Sequence, residues 1–222
     1  MQIRDAINNI EFFNKLNEKD IEKLIDISDI REFPKETIVY YEDDIDYSLQ
    51  FLIKGSVKIY KIDKNNNEIY LYNIGKNKII SEISSIEDEG IYCFANAQFT
   101  ETSVMLSINY KEFKRYFIQT NILTNKLLNE ILNKNKQLHF ILNRELVFDS
   151  IAKVAYMISN ELDFFNKSKR KDIAFKLHIQ PETLSRVINK LRDNKVIKIN
   201  EANKITIIDE IPLNNYFYGI SN

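Results

Sequence analysis

Glu182, Ser185 and Arg186 fall at i, i+3 and i+4, so a helix through them projects all three from one face near its start. Their chemistry suits base edges in a DNA major groove: arginine donates a fork to guanine, glutamate accepts from cytosine, and serine serves either base. Leu184, Val187, Ile188 and Leu191 would hold the opposite face inward, and Pro181 stands at the first turn, where its missing N–H costs nothing. A second short helical pattern, residues 171–177, precedes the first, with only His178-Ile179-Gln180 between them. Two short helices across a three-residue turn read as a helix-turn-helix. Residues 197–199 and 205–208 flank Ala202-Asn203 and read as a two-stranded wing. The alternative is a solvated surface helix with an intrahelical Glu182–Arg186 pair, worth only about 0.2–0.5 kcal/mol.

Charge favours the first reading. Residues 168–204 hold ten Lys/Arg against four Asp/Glu, whereas residues 1–48 hold six against thirteen, beneath a net charge of −1. An acidic front and a basic rear imply that the rear approaches a polyanion. Lys169, Lys171, Lys176, Lys198 and Lys204 are the candidate phosphate contacts, giving affinity and salt dependence without sequence choice.

The remaining elements must carry that head. Phe12, Phe13, Leu16, Ile21, Leu24, Ile25 and Ile27 recur at helical spacing. From Thr37 to about Leu106 short alternating runs, broken by Gly55, Asn65-Asn66-Asn67 and Gly75, predict an antiparallel barrel or jelly roll with a hairpin across the asparagines. A long helix is expected from near Tyr110. Leu128, Ile131, Leu138 and Leu142 form a heptad-like seam along it, with Asn135 at one seam position, and the seam predicts a homodimer. The fold class is therefore α+β: an N-terminal antiparallel β jelly-roll barrel, a long central dimerisation helix and a C-terminal winged helix-turn-helix. The expected boundaries are residues 1–109, 110–147 and 148–222.

Other chemistries are poorly served. No Walker-type loop, GxSxG elbow or metal-ligand spacing is present, so no enzyme is expected. Cys93 is the only cysteine and His139 and His178 the only histidines, too few for an iron–sulfur cluster or a His/Cys zinc site. No membrane-length apolar run or signal peptide is visible, which makes the cytoplasm the default and a membrane partner unexpected.

Over nearly its whole length the chain resembles the Crp/Fnr family. The order of elements matches, residues 51–60 (FLIKGSVKIY) look like its strand–Gly–strand segment, and residues 148–155 (FDSIAKVA) resemble its hinge and following helix. The Glu-x-x-Ser-Arg pattern at Glu182, Ser185 and Arg186 is similar to the Fnr branch. The resemblance implies a DNA-binding transcription regulator, an operator with TTGA-like half-sites in an inverted repeat, and RNA polymerase as a partner. Residues 161–166, where polymerase contact would fall, carry no decisive side chains.

The cyclic-AMP branch holds its ligand with a Gly-Glu pair and a downstream Arg-Ser-Ala. Here Ser81-Glu82 matches the first and Cys93-Phe94-Ala95 falls on the second, so the phosphate's arginine is missing. Glu82 would meet a phosphate with no compensating cation, and the Phe94 ring is expected to fill the ligand's space. Regulation by cyclic AMP is therefore not expected. Glu82, Cys93, Phe94 and His139 are the candidate effector-pocket residues. Two alternatives stay open: a haem-dependent redox or nitrosative-stress sensor using Cys93 and His139, and a cyclic-nucleotide-binding regulatory subunit without DNA function.

Overall fold

Alternating charge and apolar residues give the chain a helical start, α1 (Ile3–Asn9) and α2 (Glu18–Asp26), joined through a 3-10 turn at Glu11–Phe13. The computed structural model describes residues 2–218. Asn17 caps α2, its side-chain oxygen accepting the Asp20 N–H at 2.9 Å.

The strands follow: β1 (Ser28–Phe33), β2 (Ile38–Tyr40), β3 (Ile45–Asp46), β4 (Ser48–Lys54), β5 (Val57–Ile62), β6 (Glu68–Ile74), β7 (Lys78–Ile79), β8 (Ile91–Tyr92), β9 (Asn96–Phe99) and β10 (Ser103–Asn109). They pair antiparallel in the orders β1-β10-β4-β7 and β2-β9-β5-β6, with β3-β8 as a short separate ladder. Leu52, Val57, Ile59, Ala97, Phe99 and Met105 pack in one cluster drawn from both large sheets. The expected all-β unit is thus present as sheets that share a core.

Strand β4 is buried on both faces. Leu52 faces that shared core, whereas Leu49, Phe51 and Ile53 pack with Phe12, Phe13 and Leu24 of the helical start. Gly55 turns the chain from β4 to β5 at φ +100°, and a Cβ there would lie 2.0 Å from Ser103 Oγ. Only glycine fits both the angle and the approach. The predicted hairpin joins β5 to β6: Asp63 Oδ1 accepts the N–H groups of Asn65 and Asn67, both at 2.8 Å, and Asn66 takes φ +62°.

The long helix departs from expectation. α3 (Tyr110–Phe113) passes into a π-helical turn at Lys114–Ile118, the chain breaks, and α4 begins only at Thr124, running to Leu142. Asn121 at φ +61° makes the break, and the Ile118 carbonyl accepts both the Asn121 N–H at 3.0 Å and Thr124 Oγ1 at 2.9 Å. With neither glycine nor proline at the break, the sequence pattern ran straight through it.

The chain divides between Lys136 and Gln137, inside α4, into two compact units. The second contains the last turns of α4, a π-helical turn at Asn143–Val147, α5 (Ser150–Asn160), α6 (Leu162–Lys167), α7 (Arg170–Lys176), α8 (Pro181–Asp193), the hairpin β11 (Ile197–Ile199) and β12 (Ile205–Ile207), and α9 (Glu210–Tyr218). Val154, Ile158, Ile173, Leu184, Val187, Leu191, Val196 and Leu213 lie in its core. Residues 166–168 form the end of α6. Asn166 pairs with Ile205 of the wing through both amide atoms, at 2.7 and 2.9 Å.

Candidate nucleic-acid interface

Helix α8 is pinned by Leu184, Val187, Ile188 and Leu191, all buried, which turns Glu182, Ser185, Arg186 and Asn189 outward. The two helices and their turn lie as the spacing predicts. Neither Glu182 nor Arg186 makes an ion pair or side-chain hydrogen bond among the described residues, so the Glu182–Arg186 pair of the alternative reading is not formed. Ser185 Oγ donates to the Pro181 carbonyl at 3.1 Å, which leaves its lone pairs to accept. The turn rests on His178 in the left-handed region at φ +53°, its N–H donating to Phe175 O. A helix C-terminus commonly ends on glycine or asparagine in this conformation; here histidine takes it.

The five candidate phosphate lysines separate. Lys169, Lys171, Lys198 and Lys204 are exposed. Lys176 is not available in the same way: its ammonium lies 2.6 Å from Glu161 and 4.1 Å from the Phe164 ring centre, with its side chain only 12% exposed. Charge counting could not separate a lysine already paired from one facing water. Arg170, unremarked in the sequence, braces the wing by donating to the Asn203 carbonyl at 3.0 Å while stacking over Phe165.

The seam residues Leu128, Ile131, Leu138 and Leu142 are 52%, 39%, 56% and 52% exposed, so the described residues leave them only partly covered. Asn135 and His139 are exposed beside them. The other face of α4 is occupied. Leu123 and Leu127 are buried in the first unit's core, and Lys134, seven residues after Leu127, donates to the carbonyls of Ile80 (3.3 Å) and Ser81 (2.8 Å). Burial holds the Lys134 ammonium down at about 8, against the pull of Glu82 and Glu130. Glu82 therefore has a cation near it, contrary to expectation. The heptad step from Leu127 was the signal that could have found it.

Of the candidate pocket residues, Glu82 and Phe94 do meet. Glu82 accepts the Phe94 N–H at 3.0 Å and the Tyr72 hydroxyl at 3.1 Å. The Phe94 ring does not fill the interior, however; it is half-exposed and packs edge-on to Tyr92, 4.9 Å between centres. The aromatic neighbour two residues away offered it a surface partner. Cys93 is buried, and burial first, then Asp46, Glu82 and Asp44, push its thiol up to about 12. A thiol so placed is protonated at neutral pH. His139 lies in the second unit, exposed on α4. Among the described residues no cluster of three or more His, Cys, Asp or Glu could hold a metal, and no helix is long and apolar enough to cross a membrane.

An antiparallel β unit, a long helix with an uncovered seam and a winged helix-turn-helix with an outward polar face define a two-domain DNA-binding transcription regulator. The family model for a cyclic nucleotide-binding domain matches residues 30–120, and that for a Crp-like helix-turn-helix domain matches residues 160–216. The chain belongs to the Crp/Fnr family. Its fold is similar to that of a CooA variant from Carboxydothermus hydrogenoformans (TM-score 0.70, 14% identity, 94% of this chain and 95% of that one). It also resembles a Crp/Fnr-family transcriptional regulator from Eubacterium rectale (TM-score 0.67, 17% identity, 95% and 99%). FixK2 from Bradyrhizobium japonicum is similar at a TM-score of 0.63, with 15% identity over 86% and 97% of the two chains. No curated protein matches by sequence. A regulatory subunit without DNA function does not account for the helix-turn-helix match.

Lys176 tests the reading of the basic face. Lys176→Ala is expected to lower the melting temperature while leaving the salt slope of DNA binding at the wild-type value. A slope smaller by about one unit would return Lys176 to the phosphate set.

Proposed function

We propose that the protein binds an inverted-repeat operator as a homodimer, reads base edges with Glu182, Ser185 and Arg186, and works without cyclic AMP. The observation that carries this reading is the outward face of α8, where Glu182 and Arg186 are exposed and unpaired while the helix is locked beneath them. Lys169, Lys171, Lys198 and Lys204 contribute sequence-independent attraction. The TTGA-like half-site and a contact with RNA polymerase follow from the family resemblance. Two recognition helices one DNA turn apart, roughly 34 Å, would favour half-sites about 10 base pairs apart centre to centre.

The interior of the first unit supports the absence of cyclic AMP. Glu82 is engaged by Tyr72 and Phe94, and the nearby cation, Lys134, is committed to two backbone carbonyls. A cyclic phosphate entering there would face Glu82 without a free cation.

Base reading and phosphate contact separate by mutation. Arg186→Ala should cost about 1–3 kcal/mol on the preferred site and flatten discrimination at one base pair. Lys198→Ala should weaken all sequences alike and reduce the salt slope by about one unit. Base-by-base competition binding decides it: equal losses on preferred and scrambled DNA for Arg186→Ala would leave that residue only a phosphate contact.

The dimer rests on the seam. Changing Leu138 and Leu142 together to Lys is expected to give a monomer in sedimentation and to abolish operator binding. An unchanged dimer would place the interface elsewhere. Millimolar cyclic AMP should leave the melting temperature unmoved, because a ligand that prefers the folded state must raise it. A saturable rise would restore cyclic AMP as effector.

A further inference from the structure

Glu145 lies in the π-helical turn Asn143–Val147 that leads from α4 into the DNA-binding unit. Its carboxylate gathers three partners from three different places. Arg144 Nε donates at 2.6 Å from the same turn, Lys153 Nζ at 3.1 Å from α5, and His178 Nδ1 stands at 3.0 Å in the turn before α8. A carboxylate can only accept, so His178 carries its proton on Nδ1. The cluster is sheltered: Arg144 and Lys153 side chains are each 9% exposed, Glu145 27% and His178 24%. Burial alone would push the Glu145 carboxyl up, but hydrogen bonds from Arg144, His178 and Lys153 outweigh it and hold the group at about 2. At neutral pH the centre is therefore a fixed anion that three donors share.

The His178 backbone is itself constrained. Its N–H donates to Phe175 O and the next N–H, of Ile179, donates to Ala174 O. Three residues later Pro181 opens α8, with Glu182 immediately behind. The same connecting segment is packed by aromatic rings: Phe140 lies 4.4 Å from Tyr156, and Phe148 lies 6.0 Å from Tyr156 and 6.3 Å from Phe217. A shift of the Asn143–Val147 turn would thus be carried by Glu145 to the turn that sets where α8 begins.

We infer that Glu145 is a positioning residue for DNA recognition, clamping the helix-turn-helix turn through His178 to the segment by which α4 enters the second unit. The inference rests on the base-reading role of α8 proposed above. It deepens that role by giving the long helix a mechanical hold on the recognition helix, so that a change in α4 alters operator choice.

Three variants of the full chain test it, each measured for melting temperature and for the ratio of affinity between a selected operator and scrambled DNA. Glu145→Gln keeps the size and removes the anion. His178→Gly keeps the left-handed backbone and removes the donor. His178→Asn tolerates the same backbone and offers an amide nitrogen at the position of Nδ1. The ratio is expected to fall about tenfold in Glu145→Gln and His178→Gly and to return to near wild type in His178→Asn. A merely structural role would lower melting temperature in step with the lost contact and leave the ratio unchanged, and that result overturns the inference. If Glu145→Gln fails to fold, the comparison of His178→Gly with His178→Asn decides alone: equal ratios overturn the clamp. A wild-type protein that does not discriminate operator from scrambled DNA sinks the base-reading role, and the clamp with it. Discrimination kept by wild type and by all three variants sinks only the clamp.

Discussion

Helix α4 carries two apolar faces, and among the described residues only one of them is covered. Leu127 and Lys134 lie on the face taken up by the first unit, Leu127 in its apolar core and Lys134 on its backbone carbonyls. Leu128, Ile131, Leu138 and Leu142 lie on another face and stay exposed. Fully burying an aliphatic side chain of this size is worth about 1.5–3 kcal/mol, so four in one stripe amount to a substantial drive toward a covering surface. A second copy of the same helix offers the same stripe with the same spacing, which is what a two-fold seam requires. Asn135 within the stripe gives such a pair a polar reference for register.

The DNA-binding unit resolves its own constraint differently. The apolar face of α8 packs inward, and among the described residues Glu182 and Arg186 on its polar face form no ion pair. That arrangement contributes little to the stability of the unit alone. Exposed lysines on α7 and the wing, with no carboxylate in contact, repel one another weakly through water. A polyanion turns each of them into a favourable contact and releases its own counterions in doing so. Lys176 shows the contrast: paired with Glu161 and resting on Phe164, it serves the fold, and it would have to break that pair to serve DNA.

What the sequence disclosed was local. The spacing of α7 and α8, the proline at the start of α8, the asparagine hairpin and the wing depend on neighbours within a few positions, so pattern alone found them. The break before α4 escaped because an asparagine makes it, at a φ that any asparagine-rich stretch can adopt. The Phe94 ring was misplaced because the match to the Arg-Ser-Ala segment gives its place along the chain and not its rotamer, and the ring packs against Tyr92. Lys134 escaped because a lysine beside a seam reads as solvated. The Glu145–His178 contact joins residues 33 apart, a separation at which no periodicity carries information.

The interior of the first unit brings several ionisable side chains close together. Glu82 and Asp46 both raise the thiol of Cys93, and both act on Tyr40, which burial first and these carboxylates after it push far above its ordinary range. Burial likewise raises Asp46. Acids, phenols and a thiol thus act on one another here, with Lys134 as the cation brought in from α4. Lys134 donates there to the Ile80 and Ser81 carbonyls, and the Ile80 carbonyl also accepts the Tyr40 hydroxyl at 3.3 Å. Part of the polarity there is met from α4, whose Lys134 donates to the Ile80 and Ser81 carbonyls, whereas the buried Gln50 Oε1 has no partner among the described residues.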